Sequence, residues 1–263
     1  MFMQATQKNK QQRPGFFVNA WYFLRIAAKW IFTRNKEQRH YAMERLVNMF
    51  DPSFHFTEAG QVWRDDKVFE ENYAALVETD FHSIDRKYTI NQFLQLIKNI
   101  PGDMAECGVY KGATAWFIGT FIREQGLHKN LHLFDSFEGL SKPKNEDGAY
   151  WKAGNLATDE ATCRKNLAGF DFVKYYKGWI PQRFSEVEAT RFSFVHIDVD
   201  LYQPTFDTVS FFYERMNKGG IIICDDYGFT TCPGAKKAVD DFFADKREPV
   251  IMLTTGQGFV IKE

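Results

Sequence analysis

The chain has 263 residues, a formal net charge of −1 at pH 7, and 44% hydrophobic and 25% charged residues. This composition is typical of a soluble globular protein and excludes a disordered chain, a collagen and a polytopic membrane protein. The near-zero charge disfavours a dedicated nucleic-acid binder, which is usually basic, so we expect no nucleic-acid partner. The four cysteines form no C-x-x-C pair. They indicate buried thiols in a reducing compartment, and we therefore expect a cytoplasmic protein.

The N-terminal segment is basic and aromatic. Its first 36 residues contain seven basic residues and no acidic one, which leaves a net charge of −8 for the remainder, since −1 minus +7 is −8. Residues 16–32 are apolar, but Arg25 and Lys29 interrupt the run and disfavour a membrane-spanning helix. The spacing predicts a basic amphipathic helix with Phe17, Trp21, Leu24, Ala28 and Phe32 on one face and Arg25, Lys29 and Lys36 on another. Two interpretations stay open: packing on the chain's own domain or on another subunit of a homo-oligomer, which we expect, or peripheral contact with a membrane surface.

Secondary structure changes character along the chain. Residues 37–100 are predicted to be mostly helical, with breaks near Asp51-Pro52 and around Gly60. From residue 103 onward, short apolar runs alternate with helical patterns. The predicted strands cover residues 103–107, 131–137, 172–176, 192–199, 221–224, 250–254 and 259–262. The predicted helices cover residues 112–124, 158–168, 205–216 and 235–245, and the third of them is stopped by Asn217 and the pair Gly219-Gly220.

This alternation predicts an α/β fold with a mostly parallel sheet that is covered on both faces. The last two strands differ because only Thr255 to Gly258 separates them, which is too short for a parallel crossover and predicts an antiparallel hairpin. A parallel sheet with a terminal antiparallel strand resembles the Rossmann-like sheet of class I methyltransferases. We predict an N-terminal helical segment over residues 1–85 and a methyltransferase domain over residues 86–263.

The turn after the first strand is rich in glycine. The pattern is E-x-G-x-x-x-G, with Glu106, Gly108 and Gly112, rather than the G-x-G-x-x-G that seats a pyrophosphate. S-adenosylmethionine has no phosphate, so this looser loop suits that cofactor. The second strand ends at Asp135, where an acid can accept hydrogen bonds from ribose hydroxyls. The two features together favour a nucleoside-containing cofactor.

Acidic residues follow two further strands. Asp198 ends one predicted strand, and Asp225 and Asp226 end the next. Because the carboxyl ends of parallel strands face the ligand crevice, we expect these three carboxylates to converge, and a cation is needed to relieve their repulsion. An all-oxygen ligand set favours Mg²⁺, Mn²⁺ or Ca²⁺ over Zn²⁺. His196 shares the strand face of Asp198 and is either a catalytic residue that orients a ligand or substrate, or a core residue.

Five sequence motifs follow one another within residues 85–245. They are Gly102 to Val109 with Lys111-Gly112, Asp135 to Leu140, Lys177 to Trp179, His196 to Tyr202, and Asp225 to Gly228. The set resembles the macrocin/mycinamicin O-methyltransferase family, whose relatives include the novobiocin sugar O-methyltransferase. The resemblance implies Mg²⁺-dependent methyl transfer from S-adenosylmethionine to a sugar hydroxyl of a small molecule or glycan. It implies cofactor contacts at Glu106, Gly108, Asp135 and Ser136, the adenine near Trp179, and metal ligands Asp198, Asp225 and Asp226.

The expected chemistry is activation of a poor nucleophile. A divalent cation that chelates two neighbouring hydroxyls lowers the pKa of one of them, and Asp198 takes its proton. Family members carry a histidine in the loop after the second strand, whereas this chain has none between His132 and His196, so Lys152 or Tyr150 are the candidates for its role. Four aromatic residues are expected to line the acceptor pocket: Trp151, Trp179, Tyr202 and Tyr227.

Two alternative functions stay open. One is a metal-dependent glycosyltransferase that uses Asp198-Val199-Asp200 as a D-x-D motif. The other is a non-catalytic, methyltransferase-like scaffold that docks to a membrane or a partner through residues 16–32.

Overall fold

The computed structural model describes residues 16–50, 62–75 and 84–263. It divides the chain into two compact units, Met1–Arg64 and Asp65–Glu263. The helix breaks predicted near Asp51-Pro52 and Gly60 lie outside the described residues.

The described part of the first unit contains two α-helices that pack against each other, α1 (Phe16–Phe32) and α2 (Lys36–Asn48). Helix α1 has the bounds that the amphipathic pattern predicts. The Asn35 side chain begins α2 because its Oδ1 accepts a hydrogen bond from the Gln38 N–H at 2.9 Å. Among the helices described here, none is long and apolar enough to cross a membrane.

The second unit is built on a seven-stranded sheet. Its strands are β1 (Asp103–Cys107), β2 (Leu131–Asp135), β3 (Val173–Lys177), β4 (Phe192–Ile197), β5 (Met216–Cys224), β6 (Ile251–Met252) and β7 (Gly258–Ile261). The strand order is β3-β2-β1-β4-β5-β7-β6, with β1 to β5 parallel and β7 antiparallel to both β5 and β6. The predicted α/β fold with a terminal reversed strand is therefore confirmed.

Helices cover both faces of this sheet. They are α3 (Lys67–Ala74), α4 (Ile84–Ile97), α5 (Ala113–Glu124), α6 (Glu160–Asn166), α7 (Tyr202–Tyr213) and α8 (Pro233–Phe243). Alternate residues of β5 enter two separate cores, because successive strand side chains point to opposite faces. Ile221 and Ile223 join the core that includes α4 and α5, whereas Ile222 joins the core that includes α7 and α8.

Several predicted boundaries differ by two or three residues, and the largest error lies between the third predicted helix and the strand after it. The helix predicted over residues 205–216 ends at Tyr213, and β5 already begins at Met216. The residues interpreted as a helix stop lie inside the strand, where the β4–β5 register shifts between Phe192 and Phe194. Gly219 adopts a φ of +82°, which glycine tolerates and which suits such an irregularity. The pair Gly219-Gly220 therefore marks a strand irregularity.

Candidate active site

A cavity of about 550 Å³ opens at the carboxyl ends of the central strands. Strands β1 and β4 are neighbours although they are distant in sequence, and such a reversal of strand order is where α/β sheets bind ligands. Most of the predicted site residues line the cavity: Glu106, Gly108, Asp135, Ser136, Trp179, Asp198 and Asp226. The predicted residues Gly112, His196 and Asp225 do not lie in its wall.

The two glycines of the loop after β1 have different tasks. Gly108 has a φ of +82°, and an added Cβ would lie 1.7 Å from the backbone oxygen of Asp198. Only glycine therefore lets the β1 and β4 ends approach this closely. Gly112 precedes α5 with a φ of +93°, and its nearest side chains are Leu167 and Cys163. Its place in the structure is a packing position beside the loop.

Asp135 fastens the loop that follows β1. Its Oδ2 accepts hydrogen bonds from the backbone N–H groups of Val109 at 2.7 Å and Tyr110 at 2.9 Å. Its Oδ1 accepts one from the Phe137 N–H at 2.6 Å. A carboxylate accepts about four hydrogen bonds, so the Asp135 side chain, which lies in the cavity wall, can accept another. The neighbouring Ser136 hydroxyl donates to the Gly139 carbonyl at 3.1 Å and shapes the next loop.

A buried chain of charges runs behind the cavity wall. His196 is fully buried, with Nδ1 3.1 Å from Glu106 Oε1 and Nε2 3.2 Å from Asp225 Oδ1. The Asp225 carboxylate also accepts hydrogen bonds from Gln257 Nε2 at 2.7 Å and from Arg86 Nη1. Asp225 is thus held by three protein groups beneath the cavity.

These contacts favour the protonated form of the histidine. Burial lowers the pKa of His196, but hydrogen bonds to Asp225 and Glu106 outweigh it and raise that pKa to about 9. Burial also pushes the pKa of Asp225 upward, yet the His196 and Arg86 partners hold it well below its ordinary value. An imidazolium between two carboxylates has no free lone pair. In this geometry His196 would position Glu106 and Asp225, and the catalytic role predicted for it stays a prediction.

Glu106 presents an unmatched oxygen. Its Oε2 is buried and has no hydrogen-bond partner, whereas Oε1 binds His196. Burial raises the pKa of this carboxyl. Lys87, which is 4% exposed, lines the same cavity and lies close enough to interact electrostatically with Glu106 and Asp198. A buried unpaired oxygen is costly, and a ligand with a positively charged donor would satisfy it.

Sequence reasoning missed Lys87 and Arg86, both on α4. A signal for Lys87 exists, because it shares the buried face of that helix with Ile90, Leu94 and Ile97, at positions i, i+3, i+7 and i+10. A lysine on an otherwise apolar helix face predicts a buried cation. Arg86 has no comparable signal, since its acidic partner lies 139 residues away in sequence.

The acidic residues after β4 and β5 form two groups. Ligand atoms of His196, Asp198 and Asp225 lie within 4.8 Å of one another, and so do those of Asp200, Asp226 and Cys232. Consecutive residues at a strand end point in opposite directions, so Asp225 turns inward while Asp226 faces the cavity. The structure thus brings Asp198 and Asp225 together and puts Asp226 beside Asp200.

Burial and mutual repulsion raise the pKa values of the pocket-facing carboxylates. Burial and the charge of Asp225 raise the pKa of Asp198, and burial and the charge of Asp198 raise that of Asp200 to about 7. Burial and the charges of Asp200 and Asp198 raise the pKa of Asp226 well above its usual value. Clustered carboxylate oxygens at a cavity wall fit a hard divalent cation, which is commonly held by one or two carboxylates plus water and substrate.

Aromatic side chains form the outer wall. Trp151 and Phe229 line the cavity, and the Trp151 indole N–H points to Cys232 Sγ at 3.2 Å. The predicted Tyr202 and Tyr227 do not line it, and their hydroxyls donate to Asp241 and Asp240 instead. The candidates for the family's loop histidine, Tyr150 and Lys152, line an adjoining depression that shares Trp151 with the main cavity.

The sheet order, the reversed β7 and a cavity at the strand ends define a class I methyltransferase fold. Among solved structures, the O-methyltransferase NovP has a TM-score of 0.56 and 26% identity, over 68% of this chain and 80% of that one. The calicheamicin methyltransferase CalS11 has a TM-score of 0.61 and 14% identity, over 79% and 94%, a likeness of fold. Residues 87–254 match the model of the macrocin-O-methyltransferase (TylF) family. The chain belongs to this family.

Two O-methyltransferases are similar to this chain in sequence. Demethyldecarbamoylnovobiocin O-methyltransferase of Streptomyces niveus is 29% identical over 159 residues, which are 56% of this chain and 60% of that protein. Mycinamicin III 3''-O-methyltransferase of Micromonospora griseorubida is 27% identical over 157 residues, which are 54% and 61%. The matches span about 60% of the length of these relatives.

Proposed function

We propose that this chain is a Mg²⁺-dependent O-methyltransferase that uses S-adenosylmethionine and methylates a sugar hydroxyl of a small molecule or glycan. Membership of the TylF family and the names of its relatives support this function. The observation that carries it is the cavity wall, which combines the orphaned Glu106 oxygen, the buried Lys87 ammonium and the Asp135 carboxylate. The same family membership disfavours the glycosyltransferase interpretation of Asp198-Val199-Asp200.

The cofactor end of the cavity suits a zwitterion next to a nucleoside. Glu106 Oε2 would accept hydrogen bonds from an α-ammonium group, and Lys87 would pair with an α-carboxylate. The remaining acceptor position of Asp135 would receive a ribose hydroxyl. Trp179, in the same wall, would pack on the adenine. S-adenosylmethionine, when bound, supplies a methyl group on a positively charged sulfur, so the protein mainly aligns the acceptor oxygen.

The acidic side of the cavity suits acceptor activation. Asp198 and Asp226 would hold Mg²⁺, with Asp225 as the third predicted ligand, and the bound ion would lower the pKa of an acceptor hydroxyl. Asp198 lies in the cavity wall and would accept the hydroxyl proton. His196 and Arg86 hold Asp225 from behind and keep this group of carboxylates in place. Trp151 and Phe229 would pack on the apolar face of a sugar.

A methyl-transfer assay tests this function. The full chain is incubated with methyl-labelled S-adenosylmethionine, Mg²⁺ and a panel of nucleotide-linked sugars and glycosides. Mass spectrometry then measures the masses of the products. We expect one acceptor class to gain a single methyl group, and we expect EDTA to stop the transfer and Mg²⁺ to restore it. Full transfer in EDTA would overturn the metal requirement. No transfer, together with no binding of S-adenosylhomocysteine by calorimetry, would overturn the methyltransferase assignment.

A further inference from the structure

Helix α1 has two apolar faces, and α2 covers one of them. On the covered side, the Tyr22 hydroxyl accepts a hydrogen bond from Arg45 at 2.9 Å, and the Arg39 guanidinium lies 5.6 Å from the Trp30 ring centroid. Ile26 is buried on this side. The other face carries four large apolar side chains that are 59–81% exposed: Trp21, Leu24, Ile31 and Phe32. Water therefore contacts an apolar stripe that the helix pair does not need for its own packing.

The exposed apolar face is bordered by positive charge. Arg25 and Lys29 lie one turn apart beside it, and the Arg25 guanidinium is 5.5 Å from the Trp21 ring centroid. Residues 1–36 contain seven basic residues and no acidic one. Such a helix, apolar on one side and purely cationic at its edge, has the character of helices that lie in a lipid interface.

Charge decides which partner fits this face. A second copy of the chain would bring two basic segments together, which like-charge repulsion disfavours. A neutral apolar partner would leave Arg25 and Lys29 without counter-charges. The surface of an anionic bilayer satisfies both features, because its acyl boundary accepts the apolar side chains and its headgroups pair with the cations. The helix is not long and apolar enough to cross the bilayer.

We infer that α1 binds the surface of anionic membranes, with Trp21, Leu24, Ile31 and Phe32 in the acyl boundary and Arg25 and Lys29 among the headgroups. This activity goes beyond methyl transfer and does not depend on it. It would concentrate the chain at the bilayer surface.

Vesicle co-sedimentation of the full chain tests this inference. Vesicles of phosphatidylcholine alone are compared with vesicles that also contain phosphatidylserine. We expect binding to the anionic vesicles only, weakened by added salt because salt screens headgroup attraction. Leu24→Ser and the pair Arg25→Gln with Lys29→Gln should each lower the bound fraction about tenfold, the size of change that loss of one buried leucine or of two surface cations gives.

Matched controls separate binding from folding. Leu96→Ser removes a leucine of the same 65% exposure from α4, and Lys174→Gln removes an exposed cation from β3, so both should bind vesicles as the unaltered chain does. Unchanged circular dichroism would show that the variants keep their helices. Equal binding to neutral and anionic vesicles, no vesicle binding, or full binding by Leu24→Ser would overturn the inference. Self-association that Leu24→Ser abolishes, without vesicle binding, would instead identify a second copy as the occupant.

Discussion

Buried carboxylates at the two ends of the central sheet have opposite electrostatic surroundings and opposite pKa shifts. At the amino end of β5, Glu248 is 5% exposed and accepts hydrogen bonds from the Tyr213 hydroxyl at 2.9 Å and from Lys262 Nζ at 3.0 Å. Burial raises the pKa of Glu248, but the hydrogen bonds from these donors outweigh burial and lower that pKa to about 2. At the carboxyl ends, Asp198 and Asp226 have other carboxylates as neighbours, and their pKa values are raised by burial and by those charges.

We propose that this difference separates a structural acid from a ligand-binding one. Glu248 finds its counter-charge within the protein, so nothing else is needed to keep it ionised. The acids at the cavity lack enough positive charge around them, and a bound cation, a proton or a substrate must supply it. Asp225 stands between these cases, because Arg86 and His196 satisfy it while its neighbours stay unsatisfied.

The largest effect is expected at the cavity. Asp198→Asn removes the proposed proton acceptor and a predicted metal ligand, so turnover should fall by about 10²- to 10⁴-fold. Binding of S-adenosylhomocysteine should be largely unchanged, which calorimetry measures. Asp241→Asn, an exposed acid on α8, should leave turnover as it is. Unimpaired methyl transfer by Asp198→Asn would contradict the proposal that the acids at the carboxyl ends of the strands act on a ligand.

A smaller effect is expected behind the cavity. Arg86→Met removes the cation that pairs with the fully buried Asp225 and should lower the free energy of unfolding by about 3 kcal/mol. Arg183→Met breaks an ion pair with Glu186 whose side chains are both about 40% exposed, and it should lower the free energy of unfolding much less than Arg86→Met does. Urea unfolding of the two variants compares these costs. Equal losses would mean that the protein does not depend on Arg86 to balance Asp225.

The smallest effect is expected at Glu248. Its pKa in the folded protein lies below the ordinary value of 4.5, so its contribution to stability is complete above that pH and is lost as the pH falls toward 2. Glu248→Gln should lower the free energy of unfolding by about 1–2 kcal/mol at neutral pH, and the deficit should shrink below pH 4.5. Unfolding at a series of pH values measures it. A deficit that grows with acid would contradict the assignment of Glu248 as a charge-matched acid.

The sequence was most informative where the local pattern decides the structure. Strand β1 has its predicted bounds because an apolar run is closed by a glycine loop, and Asp198 and Asp226 reach the cavity because parallel strands end at one edge. The direction of each side chain at a strand end was harder to predict. Asp225 and Asp226 are adjacent and chemically identical, and they differ only in that Asp226 lies in the cavity wall. The register shift at Gly219 depends on pairing with β4, which local sequence does not reveal.

The acidic partners of Arg86 and Lys87 could not be predicted from the sequence. Arg86 and Lys87 belong to a helix that precedes the sheet, and only the assembled fold places them beside Asp225 and Glu106. The orphaned oxygen of Glu106 is likewise a property of the complete packing. The motif identified the acid, and the structure identified which of its atoms needs a ligand.

The most direct test of the account is the affinity for S-adenosylhomocysteine, measured by calorimetry on the unaltered chain, Glu106→Gln and Glu248→Gln. The unaltered chain should bind with micromolar affinity, about 8 kcal/mol. Glu106→Gln keeps an oxygen for His196 but removes the charge that faces the cavity, so affinity should fall about tenfold to a hundredfold. Glu248→Gln, the same substitution at the other end of the sheet, should bind as tightly as the unaltered chain. Full affinity in Glu106→Gln, or an equal loss in both variants, would contradict the claim that the unmatched acid is the ligand-binding one.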